Sequence, residues 1–326
     1  MTESTAAPAA SLVPRGWRLG LRVLVALLAV AAVAFVVRAV GTDEVLARLR
    51  TAAPWLPLAA LLELGRIGLD AVATRLVLGP AGRRIPRARL LVLHLITHGV
   101  MNVMPAGRGT SEAAKAMLLA DDLGTEAAVS MGTSNQANVL LSSALFSLPC
   151  ALAAHLALDS APLTLAILGH FAVLFAAGLG LRVLQTHPRA VRWLAGLLPR
   201  FSARVHAFAE ASRQTPTLAA GPIAAMMLGR LLQTGEYAVL AHAVGLDVSP
   251  LAALAVQGLN LVAAAVGVLV PGQLGSAEAI FALAAGALGT TPAMAVSIAL
   301  LAHTVSLAFA AIGLTLLAAW ALLPRR

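Results

Sequence analysis

Apolar residues run along this chain with little alternation, interrupted by short charged stretches and by stretches rich in proline and glycine. The apolar runs fall near 19–40, 52–78, 88–104, 126–157, 162–184, 217–244, 251–270 and 291–323. Runs long enough to cross about 30 Å of hydrocarbon as helices recur over most of the chain, which predicts an all-α polytopic membrane protein. The lack of period-two alternation argues against an outer-membrane barrel. Two shorter helical pieces are expected near 110–120 and 276–288. Each follows a stretch that breaks the pattern, MNVMPAGRGTSEAAKAML (101–118) and VLVPGQLGSAEAIFAL (268–283).

Both stretches read as helix breaks. Pro105 and Pro271 remove a backbone donor, and the neighbouring glycines permit dihedrals that other residues avoid. The spacing puts Gly109 and Gly275 at the N-caps of the short helices and Glu112 and Glu278 near N3. A break inside a membrane is tolerated only where protein or water satisfies its free N–H groups. Helix N-termini aimed into a cavity attract anions. The breaks are therefore expected to build a polar site within the bilayer. Simple helix capping is the alternative role for the two glutamates. Arg108 has no counterpart in the second stretch, where Leu274 stands. It either pairs with Glu112 or holds a lipid phosphate, which its planar fork suits.

The halves resemble each other. Pro105–x3–Gly109–x2–Glu112 matches Pro271–x3–Gly275–x2–Glu278 at an offset of 166, and LGR at 64–66 recurs at 228–230. Basic clusters at Arg15, Arg18 and Arg22, at Arg83 to Arg89, at Arg189 to Arg213 and at Arg325 and Arg326 read as cytoplasmic. The even number of crossings between them makes 88–120 and 251–288 re-entrant hairpins opening from opposite faces. The expected architecture is two inverted repeats of about four elements each, whose broken-helix hairpins meet in the bilayer. Repeat one covers about 16–157 and repeat two about 162–323, with a basic cytoplasmic loop at 185–215. Residues 1–15 read as a disordered tail, and both termini as cytoplasmic. The run at 19–40 lacks a clear cleavage site and reads as a retained helix.

Composition sharpens this picture. Hydrophobic residues make up 60% and charged residues 11% of the chain, against about 25% charged in soluble domains. The net charge of +9 reflects arginines in short loops, which set topology and do not indicate nucleic acid. One cysteine, Cys150, excludes an intramolecular disulfide or a cysteine metal cluster. Charges also stand inside apolar runs, namely Glu63, Arg66, Asp70, Arg230 and Glu236. Each costs roughly 2.5–3.5 kcal/mol at mid-bilayer, so lipid-facing placement is disfavoured. They either neutralise one another, or Arg66 and Arg230 line a cavity for an anionic head group while Glu63, Asp70 and Glu236 act as gating or ion-pair residues.

His94 and His98 share a helical face, but no residue completes a metal site. Asn135, Gln136, Asn138, Gln257 and Asn260 read as links between helices. No phosphate loop, dinucleotide fingerprint or nucleophile elbow occurs, so no cofactor and no enzymatic activity are expected. The segment 187–214 interleaves Arg and His with Trp193, Leu194, Leu197, Leu198 and Phe201. It reads either as a surface-lying amphipathic helix broken near Pro199 or as a loop that only sets orientation.

At the two breaks the chain resembles a known family. NVMPAGRGTSEAAKA (102–116) and LVPGQLGSAEA (269–279) are similar to the paired Pro-Gly motifs of the lysylphosphatidylglycerol synthase transmembrane-region proteins, also called flippase-like integral membrane proteins. The resemblance in layout covers about 17–320. It implies a bacterial inner-membrane lipid translocator, or an accessory protein of lipid metabolism, acting on membrane lipids with an anionic head group. Asn102, Pro105, Arg108, Gly109, Glu112, Pro271, Gly272, Gly275 and Glu278 would then belong to the central site. AGRGTSE departs from the tighter family pattern. With the chain ending at Arg326 and no acyltransferase domain, aminoacyl transfer is not expected. The expected partners are lipids, with a homo-oligomer or a lipid-biosynthesis enzyme as protein partner. A lipid or glycolipid transferase using Glu112 or Glu278 as base, and a non-transporting subunit, are the competing readings.

Overall fold

The computed structural model describes residues 31–322, except 32, 40, 198 and 215–219. The expected tail at 1–15, most of the run at 19–40 and the terminal arginines lie outside the described residues. Among the described residues every regular element is helical. Helix α1 spans Thr42–Ala52, α2 Leu56–Leu78, α3 Pro80–Arg84, α4 Arg87–Val103 and α5 Gly107–Leu123. They are followed by α6 (Thr125–Leu158), α7 (Ala161–Thr186), α8 (Pro188–Leu197) and α9 (Ser202–Gln214). The last four are α10 (Ala220–Ala243), α11 (Pro250–Val266), α12 (Ser276–Ala284) and α13 (Pro292–Leu322).

Helices α6, α7 and α13 are long and apolar enough to cross a membrane. The charges in α2 and α10 keep those helices, of 23 and 24 residues, less apolar than a free-standing span. They are covered by each other. Glycines set how closely: a Cβ on Gly65 would stand 2.9 Å from Leu232, and one on Gly235 3.8 Å from Leu62. Gly229 faces the Arg66 side chain, and Gly221 faces Leu76. Numbers rise on one helix as they fall on the other, so α2 and α10 are antiparallel and cross close to Arg66 and Arg230.

The same small-residue packing recurs elsewhere. On Gly313 of α13 a methyl would overlap the Leu95 carbonyl of α4, and on Gly99 it would stand 2.9 Å from the Ala310 carbonyl oxygen. Gly258 of α11 faces Cys150 of α6 and Ile167 of α7. Aliphatic residues of α6, α7, α10, α11, α12 and α13 fill the largest apolar core around Phe281, Leu240 and Ile298.

The segment between α7 and α10 folds as a helical hairpin broken at Pro199–Phe201. Val191 and Ala195 of α8 meet Val205 and Ala209 of α9. Trp193, Leu197 and Phe201 remain more than half exposed. Of the two readings of 187–214, the helices broken at Pro199 fit the amphipathic one.

Candidate functional site

Helix α4 stops at Val103, and Met104 turns the chain out with extended dihedrals. Ala106 then caps α5 from the left-handed region, at φ 51°. Glycine is required one residue later, because a Cβ on Gly107 would overlap the Met101 carbonyl oxygen. The expected cap, Gly109, is corrected here. It sits inside the first turn of α5, is exposed, and an added methyl there would meet nothing within 4 Å. Glu112 accordingly lies a turn deeper than N3.

The second break follows the expected plan. Pro271 opens a 3₁₀ turn, Gly272 takes φ 59°, and Gly275 is the N-cap of α12 at φ 83°. Glu278 at N3 accepts a 2.7 Å hydrogen bond from the Gly275 N–H through Oε2. Its other oxygen lies 2.7 Å from His303 Nδ1 on α13. The capping role is thus realised, and it ties the second break to α13.

The two breaks meet. A Cβ on Gly272 would stand 3.2 Å from the Asn102 carbonyl oxygen at the end of α4. Asn102 Nδ2 donates to the His98 carbonyl at 3.0 Å, and Ser306 Oγ donates to Asn102 Oδ1 at 3.2 Å. Beside this junction lies a cavity of about 210 Å³, walled by α2, α4, α5, α6, α7, α10, α11, α13 and the second break. Asn102, Arg108, Arg66, Arg230 and Gly272 of the expected set line it, as do Glu63 and Glu236. Pro105, Gly109, Glu112, Pro271, Gly275 and Glu278 do not line it. The prolines and Gly275 shape the breaks, and Glu278 anchors one.

The charges are handled unequally. Arg66 forms a two-point pair with Glu63, at 2.6 Å from Nε and 2.5 Å from Nη2, and its Nη1 reaches Asp70 at 3.1 Å. On α2 the arginine is thus ion-paired, as one expectation had it, with Glu63 and Arg66 still facing the cavity. Arg230 has only neutral partners, Gln233 Oε1 at 2.9 Å and Ser143 Oγ at 2.8 Å. Arg108 makes no hydrogen bond or ion pair among the described residues, so the pair with Glu112, one of its two readings, does not form. Lys115 Nζ and Asn135 Nδ2 instead both donate to Glu112 Oε1 at 2.8 Å. A second, smaller cavity of about 40 Å³ holds these groups, with Arg108 on its wall as well.

Sequence reasoning missed Ser143, His170, Gln233, Tyr237, His303 and Ser306, all of which line the main chamber. They stand in apolar runs, several beside another polar residue such as Ser142, Thr234 or Thr304, and only the packing brings them together. The amides do link helices: Asn260 Oδ1 accepts from Tyr237 at 2.8 Å, Gln257 donates to Gln233 at 3.0 Å, and Asn138 accepts from Arg182 at 2.6 Å. Gln136 lines the chamber. His94 is held by Thr74 and the Leu90 carbonyl, and His98 by Ser306 and Asn102. Among the described residues no group of three His, Cys, Asp or Glu is placed to hold a metal ion.

A family model described as the lysylphosphatidylglycerol synthase TM region matches residues 21–313. No curated protein matches the chain. No solved structure matches it either.

Proposed function

Because the chain belongs to the lysylphosphatidylglycerol synthase TM-region family, a membrane domain associated with flippase-like lipid handling, we propose that it moves a lipid between leaflets. The lipid carries an anionic, phosphate-bearing head group, as phospholipids and polyprenyl phosphates do. One observation carries the reading: Arg108 and Arg230 face one chamber with no carboxylate paired to either. Arg230 is buried and Arg108 half-buried, a guanidinium so placed without an ion-pair partner is costly, and an entering phosphate supplies that partner with matching geometry.

Alternating access through inverted repeats extends this reading. The repeats are α2, α4, α5 and α6, and α10, α11, α12 and α13, with α7 to α9 between them. Helix register supports the pairing. Shifted by the 166-residue offset of the motifs, the contact of Gly258 with Cys150 becomes Val92 against Leu316. That is the antiparallel register in which Leu95 meets Gly313. Arg66 and Arg230, equivalent in the two LGR copies, stand where α2 crosses α10. A two-fold axis through that crossing lets the hairpins α4–α5 and α11–α12 gate the chamber in turn, from opposite leaflets.

The transferase reading is disfavoured by the carboxylates themselves. Glu112 is committed to Lys115 and Asn135, and Glu278 to Gly275 and His303. Reconstitution tests the proposal. Vesicles containing the protein are expected to equilibrate labelled phosphatidylglycerol or a polyprenyl phosphate faster than protein-free vesicles, and Arg108→Gln with Arg230→Gln to abolish the difference. Equal rates with and without protein, for both lipids, would overturn it.

A further inference from the structure

Outside the chamber another arginine without an ion pair is buried, where α6 and α7 adjoin, between two buried amides. Arg182 of α7 is 5% exposed and makes no ion pair among the described residues. Its Nη2 donates to Asn138 Oδ1 at 2.6 Å and its Nη1 to Gln185 Oε1 at 3.3 Å. Asn138 and Gln185 are 0% and 1% exposed. A guanidinium only donates, so it fixes both amides with their oxygens toward it and their nitrogens turned away.

The consequence is a cluster of donors without an acceptor. Arg182 Nε, Asn138 Nδ2 and Gln185 Nε2 are all buried and all lack a hydrogen-bond partner. Three unmet donors around one uncompensated positive charge would each cost about 1–3 kcal/mol if left dry. No rotation of the amides repairs this, because turning either one would withdraw an acceptor from Arg182. The complement of the cluster is an oxyanion.

Its position suits such a ligand. Arg182 lies one turn before α7 ends at Thr186, and the chain then enters the α8–α9 hairpin. Arg189, Arg192, Arg200 and Arg204 of that hairpin are exposed and draw anions to this end of the molecule. On α6, Ser130, Ser134 and Asn138 recur every four residues as a buried polar stripe, and Ser130 meets Ser212 of α9 at 2.9 Å. None of Asn138, Arg182 and Gln185 lines the main chamber.

We infer that Arg182, Asn138 and Gln185 form a second anion site, separate from the chamber, that takes a phosphate oxyanion. The phosphate belongs to a membrane lipid or is free in solution, and the two sources are separable. The full chain, delipidated in a neutral maltoside detergent, is titrated at constant ionic strength with inorganic phosphate or with dihexanoyl phosphatidylglycerol while thermal unfolding is followed. Gln185→Glu is the informative variant, since it sets a carboxylate beside Arg182 with almost no change of shape.

Saturation by either probe is expected to raise the wild-type midpoint by about 2–4 °C beyond any rise in Gln185→Glu. The ligand-free midpoint of Gln185→Glu is itself expected to exceed that of wild type. Arg182→Gln is expected to weaken the response about tenfold in apparent affinity. A response to the short-chain lipid alone assigns the site to membrane lipid, and a response to inorganic phosphate assigns it to free phosphate. Equal shifts in wild type and Gln185→Glu, or no shift with either probe, would overturn the site and leave ordered water as the only acceptor. Lipid translocation through the chamber is unaffected by either outcome.

Discussion

Gly272 of the second break lies against the backbone of Asn102 at the end of α4, where an added methyl would stand 3.2 Å from the carbonyl oxygen. The contact joins two segments 170 positions apart and sets the floor of the junction beside the chamber. Gly272 also takes a positive φ of 59°, so two constraints coincide at one residue. Gly272→Ala is expected to destabilise the protein by about 1–2 kcal/mol. Thermal unfolding in detergent measures this, and an unchanged midpoint would show that the breaks do not press on each other.

Gly107 and Gly109 make a sharper comparison, since they are two residues apart on one helix. Gly107→Ala drives a methyl into the Met101 carbonyl and is expected to prevent the α4–α5 turn from closing, which lowers folded yield. Gly109→Ala meets nothing and sits in an exposed helical turn. It is expected to be neutral or to add up to about 1 kcal/mol. Expression and unfolding midpoints of the pair decide between these outcomes.

The three chamber arginines should respond differently to the same change. Arg66→Gln strands Glu63 and Asp70 and is expected to cost about 3–5 kcal/mol, most of it recovered in the double variant with Glu63→Gln. Arg230→Gln and Arg108→Gln break no ion pair, so their folding is expected to hold within about 1 kcal/mol. Their loss should appear in ligand affinity, about ten- to hundredfold weaker for a phosphate head group. Binding isotherms with a short-chain anionic lipid, set beside unfolding curves, separate the two classes.

Glu112 is ion-paired to the buried Lys115. Glu112→Gln leaves Lys115, at 3% exposure, without its counter-charge and is expected to cost about 3–5 kcal/mol. Adding Lys115→Met should restore most of the loss. If Glu112→Gln instead abolished transport in a protein of normal stability, the carboxylate would have to be moved into the working site.

The helices were legible because apolar runs and proline breaks act locally. Helices α4, α6, α7, α11 and α13, and the break of the central hairpin at Pro199, follow directly from such signals. The motif offset equated the two breaks residue by residue, and here the local chemistry differs. Gly275 caps α12, whereas in the first copy Ala106 takes the strained dihedral and Gly107 the close approach. Spacing cannot distinguish a glycine needed for φ from one needed for space. His303, Gln233 and Ser143 do not stand out in the sequence, because a polar residue in an apolar run looks the same whether it faces a neighbouring helix or a cavity. Arg66 and Arg230 were recognisable as costly charges, but which of them had been neutralised depended on carboxylates whose rotamers the sequence does not encode.

The uneven pairing of these arginines bears on a hazard common to every polar hollow within a bilayer. Three arginines and two glutamates stand on its wall, and the surplus of positive charge opposes the entry of sodium and protons. A molecule built this way can keep a hydrated interior among its helices without short-circuiting the gradients of the cell that houses it.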